Sequence, residues 1–294
     1  MYNQIDSNKR KSIFLIFIFF ILIAGIGYIL SRVLNYGYSP LVIAVVISMF
    51  MVGISYFAGD KIALISAGAK SIGKEENPYV YRIVENLCIT AGLPTPKIYI
   101  INDPAPNAFA TGRNPEHSSI AITTGLIQTM ENEELEGVIA HELSHVKNYD
   151  VRLATLVVVL VGALSIIADM FLRSFLFGGR RSNNNKNGNG ILAIIGIILI
   201  ILSPIIGQLI QLAISRKREF LADASGALMT RYPEGLARAL EKISQYKQPM
   251  QRFSNATAHL FFTNPYFSSK KFLSSIFSTH PPIEQRIQAL RNMI

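Results

Sequence analysis

Cysteine is nearly absent from the chain. Cys88 stands alone, which excludes an intrachain disulfide and a cysteine-ligated metal cluster. A buried, inert thiol is the expected state. Charge is scarce as well: 16% of residues are charged, against roughly 25% in soluble globular chains. Hydrophobic residues make up 50% and the mean hydropathy is positive, so the composition is that of a membrane protein. The net charge of +9 raises the question of nucleic acid. However, the cations sit beside apolar runs, at Lys9-Arg10-Lys11, Arg180-Arg181 and Arg216-Lys217-Arg218, as the flanks of membrane segments do. No nucleic-acid partner is expected.

Long apolar sequence is what the chain has in quantity. Residues 13–30 contain no charge, and residues 41–58 run to Gly59-Asp60-Lys61. At ~1.5 Å per residue, each run nearly crosses a hydrocarbon core ~30 Å thick. Joined by residues 31–40, they read as a hairpin. The first exceeds a signal-peptide core and no A-x-A site follows it directly, so a retained anchor is expected. A third stretch spans residues 153–172 and includes Asp169. A fourth spans residues 191–214 and includes Pro204, Gln208 and Gln211; the glutamines should face protein or headgroups rather than lipid. Between them, residues 178–190 are rich in Asn, Gly, Arg and Ser, the composition of a flexible loop. Lysine and arginine bias places the N-terminus, residues 60–150 and everything beyond Ser215 in the cytoplasm. The loop with Arg173, Arg180, Arg181 and Lys186 runs against that bias, but a full crossing of the second hairpin is still expected.

Residues 78–150 read as a small α+β unit. Residues 78–91 have helical periodicity (Val80, Ile83, Val84, Leu87) between a proline start and Gly92. Residues 97–101 and 119–123 read as strands. Asn132 is placed to cap a helix whose first turn holds Glu133, Glu134 and Glu136. Its apolar stripe is Leu135, Val138, Ile139 and Val146. His141 and His145 lie four residues apart on this helix, so both imidazoles project from one face and can share an ion. Neutral imidazole is a good zinc ligand. Glu142 is offset by about 100° and stands beside that ion, where it can take a proton from water held there. Zinc brings the pKa of such a water towards ~7. His141-Glu142-Leu143-Ser144-His145 is therefore an H-E-x-x-H pattern with a mechanism.

A catalytic site needs a third ligand. Glu219, in Arg218-Glu219-Phe220-Leu221-Ala222-Asp223, is the candidate. Asp223 lies four residues on, on the same helical face, where it can hold the far nitrogen of a ligand histidine. The alternative is a solvated helix with Glu219 paired to a nearby arginine. Topology favours the ligand: the third span starts just after His145, and the fourth returns to that membrane face just before Glu219. His280, in Thr279-His280-Pro281-Pro282, precedes a helix start set by two prolines. A lone histidine there is usually structural, and His117 and His259 are read the same way.

These motifs in this order resemble the HtpX heat-shock proteases, which stand with the CAAX prenyl proteases among gluzincin-type membrane metallopeptidases. The resemblance rests on His141 to His145 continuing into Asn148 and Asp150, on Arg218 to Asp223, and on Thr279 to Pro282 with Arg286. Asn107-Ala108-Phe109-Ala110-Thr111-Gly112 is similar to the stretch before the zinc helix in that family. The likeness covers nearly the whole chain. It implies a mainly α membrane protein with a small β-sheet, four transmembrane helices and a gluzincin-type zinc protease domain. It implies one zinc ion held by His141, His145 and Glu219, no other cofactor, and Glu142 as general base. Asp223 would support a ligand, His280 would stabilise the oxyanion, and Arg286 would brace the region or pair with acidic residues. Asn107, Ala108, Phe109 and Ala110 would form an edge strand that receives the substrate backbone.

The expected organisation is a transmembrane hairpin (1–58), a cytoplasmic α+β part with the zinc helix (59–150), a second hairpin (151–214) and a cytoplasmic helical part completing the site (215–294). The expected activity is endoproteolysis of misfolded or damaged membrane proteins at the cytoplasmic face of the inner membrane. The partners are polypeptide substrates and the lipid bilayer. A prenyl-protein protease is the rival, disfavoured because it needs a large intramembrane chamber and usually more spans. A scaffold with a structural metal is disfavoured by Glu142, a base that such a site has no use for.

Overall fold

The computed structural model describes residues 2–34, 37–178, 216–251, 253–254, 257–265 and 281–293. The apolar runs form long helices, α1 (Tyr2–Leu34) and α2 (Ser39–Ser66). Pro40 sits in the first turn of α2, where its missing N–H costs nothing. A third long helix, α6, spans Asp150–Gly178. Among the described residues, these three helices are long and apolar enough to cross a membrane. Phe50 and Phe57 on α2 are each 70% exposed, as lipid-facing side chains are. Leu15, Phe19 and Ile23 of α1 pack on Leu153, Leu156, Leu160 and Leu164 of α6. Gly27 permits the close crossing of α1 and α2, because a Cβ there would lie 2.5 Å from that of Ala44. The expected fourth span, loop residues 179–190 and His280 lie outside the described residues.

After α2 come β1 (Ala69–Ser71), α3 (Pro78–Ala91), β2 (Lys97–Ile101), β3 (Ala108–Asn114), β4 (His117–Thr123) and α4 (Thr124–Thr129). The sheet order is β1-β2-β4-β3, with β2 and β4 parallel and the outer pairs antiparallel, so β3 is an edge. Both β1 and α4 are too short to show a sequence period. β4 begins at His117, earlier than the expected residue 119, because Asn114 Oδ1 accepts the His117 N–H at 2.9 Å and closes a tight hairpin.

The zinc-pattern helix is α5 (Asn132–Lys147). Its cap is Glu131 rather than the expected Asn132. The Glu134 carboxylate reaches back to the Glu131 N–H at 2.9 Å and closes the terminus one residue earlier. Asn132 instead donates to Glu136 at 2.8 Å. Two further helices, α7 (Arg216–Thr230) and α8 (Pro233–Gln245), pack on α5, and α9 (Ile283–Arg291) closes the group. Leu135, Val138, Ile139 and Leu143 of α5 are fully buried between these helices and Ile98, Ile120 and Ile122 of the sheet. At roughly 1.5–3 kcal/mol per fully buried aliphatic side chain, this layer fixes α5 more firmly than its surface ion pairs do. Gly226 lets α7 approach closely: a Cβ there would lie 3.0 Å from the His141 backbone nitrogen.

Candidate metal centre

With its apolar face locked in the core, α5 turns His141 and His145 to the opposite side. Their Nε2 atoms lie 3.1 Å apart. Glu219, in the first turn of α7, brings Oε1 within 3.5 Å of His145 Nε2 and Oε2 within 3.8 Å of His141 Nε2. The fold thus joins residues from two helices that are distant in sequence. These three are the His/Cys/Asp/Glu group able to hold an ion among the described residues.

The outer nitrogens are both engaged. His141 Nδ1 lies 2.8 Å from Asp223 Oδ1, and His145 Nδ1 lies 3.0 Å from Asp150 Oδ2. Carboxylates only accept, so each Nδ1 carries its proton. An Arg286 nitrogen also stands 3.3 Å from His141 Nδ1. It cannot bond there once that nitrogen donates to the shorter Asp223 contact. Two Nε2 lone pairs are then left 3.1 Å apart, facing a carboxylate, an arrangement that calls for a cation. Ligands about 2.0–2.1 Å from a tetrahedral zinc stand roughly 3.3–3.4 Å apart, so the donor set and its spacing fit that ion.

Electrostatics agree with this reading. Burial, aided by Arg286, pushes His141 down to about 4 against the pull of Asp223. Burial also opposes charge on His145, but the Asp150 hydrogen bond and the charges of Glu219 and Glu142 outweigh it and hold its pKa up at about 9. The carboxylates around the two rings thus favour positive charge at the Nε2 pair. Burial would raise Asp223, yet the Arg286 guanidinium keeps its carboxyl below the usual range. Arg286, fully buried on α9, donates from Nε and a terminal nitrogen to the two Asp223 oxygens at 2.8 and 2.7 Å. It also stacks over Phe262 at 4.7 Å.

Three polar residues of this layer, Asp150, Arg218 and Asn8, were not assigned from sequence. Asp150 was noted only as part of a motif, yet it orients His145. Tyr149 makes this possible with φ of 60°, turning the chain sharply between α5 and α6; a non-glycine residue in that region costs of order 1 kcal/mol. Arg218 donates to Asp150 at 3.3 Å. Asn8, on α1, donates to Asp150 at 2.7 Å and to the Asn148 carbonyl at 2.9 Å. No local signal could have paired Asn8 with a residue 142 positions away.

The cavity at the centre has a volume of about 50 Å³ and is lined by Ala110, Glu142, His259 and Phe261 as well as the three donors. Glu142 is buried. His259 thus lies at the site, not apart from it. Along β3, the Ala108 carbonyl accepts from Phe262 N–H at 2.8 Å and the Gly112 N–H donates to Thr155 at 3.1 Å, both away from β4. Antiparallel strands alternate in this respect, so the backbone of Ala110 also points outward, into the cavity. Asn107 and Ala108 are engaged by the chain itself, because the Asn107 side chain bonds both backbone groups of Thr263, and Phe109 packs edge-on against Phe261.

Residues 74–294 match peptidase family M48. The chain belongs to that family. Curated relatives match over nearly their full length. A "Protease HtpX homolog" of Dictyoglomus turgidum is 47% identical, covering 99% of this chain and 94% of that protein. One of Tropheryma whipplei is 43% identical, covering 100% and 98%. One of Listeria monocytogenes is 41% identical and covers all of both chains. The crystal structure of S. mikatae Ste24p aligns with a TM-score of 0.50 at 19% identity, covering 90% of this chain and 61% of that one, a likeness of fold alone. As an M48 peptidase with three apolar helices of membrane-spanning length, the protein is a membrane metallopeptidase. The M48 match begins at residue 74, so it excludes Asn8 and both N-terminal helices.

Proposed function

We propose that the protein is a zinc-dependent endopeptidase acting on misfolded membrane proteins at the cytoplasmic face of the membrane. The observation that carries the reading is the meeting of three metal donors, Glu142 and the outward backbone of Ala110 in one buried cavity. In this reading His141, His145 and Glu219 hold one zinc ion per chain. Zinc, when bound, supplies a Lewis acid for the scissile carbonyl and an acidified water. The peptide lies extended against Ala110, whose N–H and C=O fix its register. Glu142 takes the proton from the attacking water and returns it to the leaving amine. Asp223 and Asp150 keep the histidines in the tautomer that leaves Nε2 free, and Arg286 holds Asp223 in place. His280 is assigned to the developing oxyanion. Phe261 and Phe262 exclude water, and they must shift to admit a substrate into so small a cavity. Residues 1–58 and 151–214 anchor two cytoplasmic parts, 59–150 and 215–294, which share the site. Family membership, the donor spacing and the basic flanks of the spans support the reading.

Glu142→Ala tests it. The variant should keep stoichiometric zinc and lose cleavage of an unfolded membrane substrate by about 10²-fold or more. Undiminished proteolysis would remove Glu142 from the mechanism, and a variant without zinc would mean that Glu142 serves the metal instead.

A further inference from the structure

A second and larger cavity, of about 350 Å³, lies where α2 leaves its apolar stretch. Four cations line it: Lys61 from α2, Lys97 from β2, Arg113 from β3 and Arg152 from α6. Among the described residues, none of the four side chains forms an ion pair or hydrogen bond with protein. Asp60 and Glu116 also border the cavity, and neither pairs with them. The two guanidiniums share one aromatic support, with Arg113 5.6 Å and Arg152 5.3 Å from the Tyr56 ring centre. Two like charges are thus held on one ring, and neither is paired with a carboxylate. Buried polar atoms tell the same story. Arg152 and Ser55 both line this cavity, and their Nε and Oγ atoms, themselves buried, have no partner in the chain. An unsatisfied buried polar group costs roughly 1–3 kcal/mol, which a shift of either side chain towards an acceptor oxygen in the cavity would recover.

The level of the cavity identifies the class of ligand. Gly59 touches Thr155 across the α2–α6 contact. Beyond it α2 turns polar at Asp60 and Lys61, while Phe57, two residues before it, faces outward at 70% exposure. The cations therefore sit where the long apolar run of α2 first meets charge, with the Arg113 guanidinium 5.2 Å from the centre of the outward Phe57 ring. A soluble phosphate would satisfy the cations equally well, but only a lipid brings a phosphate to this depth with an apolar tail beside Phe57. We propose that this cavity binds the phosphate headgroup of an anionic phospholipid, with Arg113 and Arg152 as the primary contacts and Ser55 as a hydroxyl donor. The proposal requires only that α2 crosses a membrane; it is independent of the metal centre.

The test is native mass spectrometry of the full chain in detergent, titrated with phosphatidylglycerol or with phosphatidylcholine. One phosphatidylglycerol should bind in preference to phosphatidylcholine. Each cation near an anionic headgroup contributes about a 5-fold gain in affinity, so Arg113→Gln with Arg152→Gln should weaken phosphatidylglycerol binding about 25-fold. Lys61 and Lys97 are exposed, so Lys61→Gln with Lys97→Gln cannot unfold the protein and should still weaken binding about 5-fold or more. The lysine pair decides the matter if the arginine pair fails to fold. Equal retention of both lipids, or unchanged affinity in a folded lysine-pair variant, would overturn the proposal. Glycerol phosphate binding as tightly as the lipid would also overturn it, by assigning the cavity to a soluble anion. Cleavage activity in the same samples reports separately on the metal centre.

Discussion

Asn8 offers the sharpest test of how the metal centre is held. It is buried on α1 and uses both protons of its amide, one to charged Asp150 at 2.7 Å and one to the Asn148 carbonyl at 2.9 Å. A hydrogen bond to a charged group contributes about 1.5–3 kcal/mol and a neutral one about 1 kcal/mol. Asp150 keeps two other donors, His145 and Arg218, so Asn8→Ala should remove part of its support rather than all. The expected cost is about 2 kcal/mol of stability, a fall in Tm of roughly 4–8 °C for a chain of this size. Loss of an outer partner typically weakens metal binding by 10- to 100-fold; about 10-fold is expected here, because Asp150 still touches His145. Competition between the purified protein and a fluorescent zinc chelator gives the affinity, and a melting curve in the same detergent gives Tm. Asn8→Asp should be worse on both counts, since it sets a carboxylate against Asp150. If Tm falls but zinc affinity does not change, Asn8 merely packs α1 on the domain, and the argued path from Asn8 through Asp150 to His145 is wrong.

Three further outcomes follow from the same geometry. Arg286→Met leaves the buried Asp223 carboxylate without its cation and with the His141 Nδ1–H as its remaining donor, which should cost about 3 kcal/mol; adding Asp223→Leu should restore stability without restoring zinc affinity, as read by melting and chelator competition. Gly226→Ala puts a Cβ against rigid α5 backbone and should cost about 1–3 kcal/mol by overpacking, outweighing its helix-propensity gain of up to about 1 kcal/mol. Zinc affinity should fall with it, because Glu219 rides on the same helix. Burial, with Glu85 adding, pushes the Cys88 thiol up to about 12. Iodoacetamide at pH 8 should leave Cys88 unmodified in the folded protein and label it in denaturant. The raised value also means that its stabilising contribution is complete below pH 9 and is lost as pH rises towards 12.

Local patterns in the sequence carry the parts of this fold that depend on neighbours. The helix at Pro78–Ala91 is legible because Pro78 and Gly92 mark its ends; the structure adds the cap, Asn77, whose Oδ1 accepts the Val80 N–H at 3.1 Å. The pairing of His141 with His145 is legible because both lie on one helix. Glu219 is legible only through the expected topology, in which a second hairpin would return the chain to the same membrane face. Asp150, Arg218 and Asn8 are not legible as a set, since their meeting depends on the left-handed turn at Tyr149 and on how α1 packs against α6. The same holds for Phe262 on the edge of β3: one backbone hydrogen bond to Ala108 decides which part of that edge stays open, and no side-chain pattern records it.

The turn at Tyr149 has a mechanical consequence. Only Asn148 and Tyr149 separate the metal-bearing helix from α6. Asp150, the first residue of α6, is hydrogen-bonded to the His145 ring at 3.0 Å. A joint of two residues has little slack, so a rotation of α6 about it is carried through Asp150 to one metal donor. The orientation of a long apolar helix and the aim of a metal donor are thereby coupled through a single carboxylate.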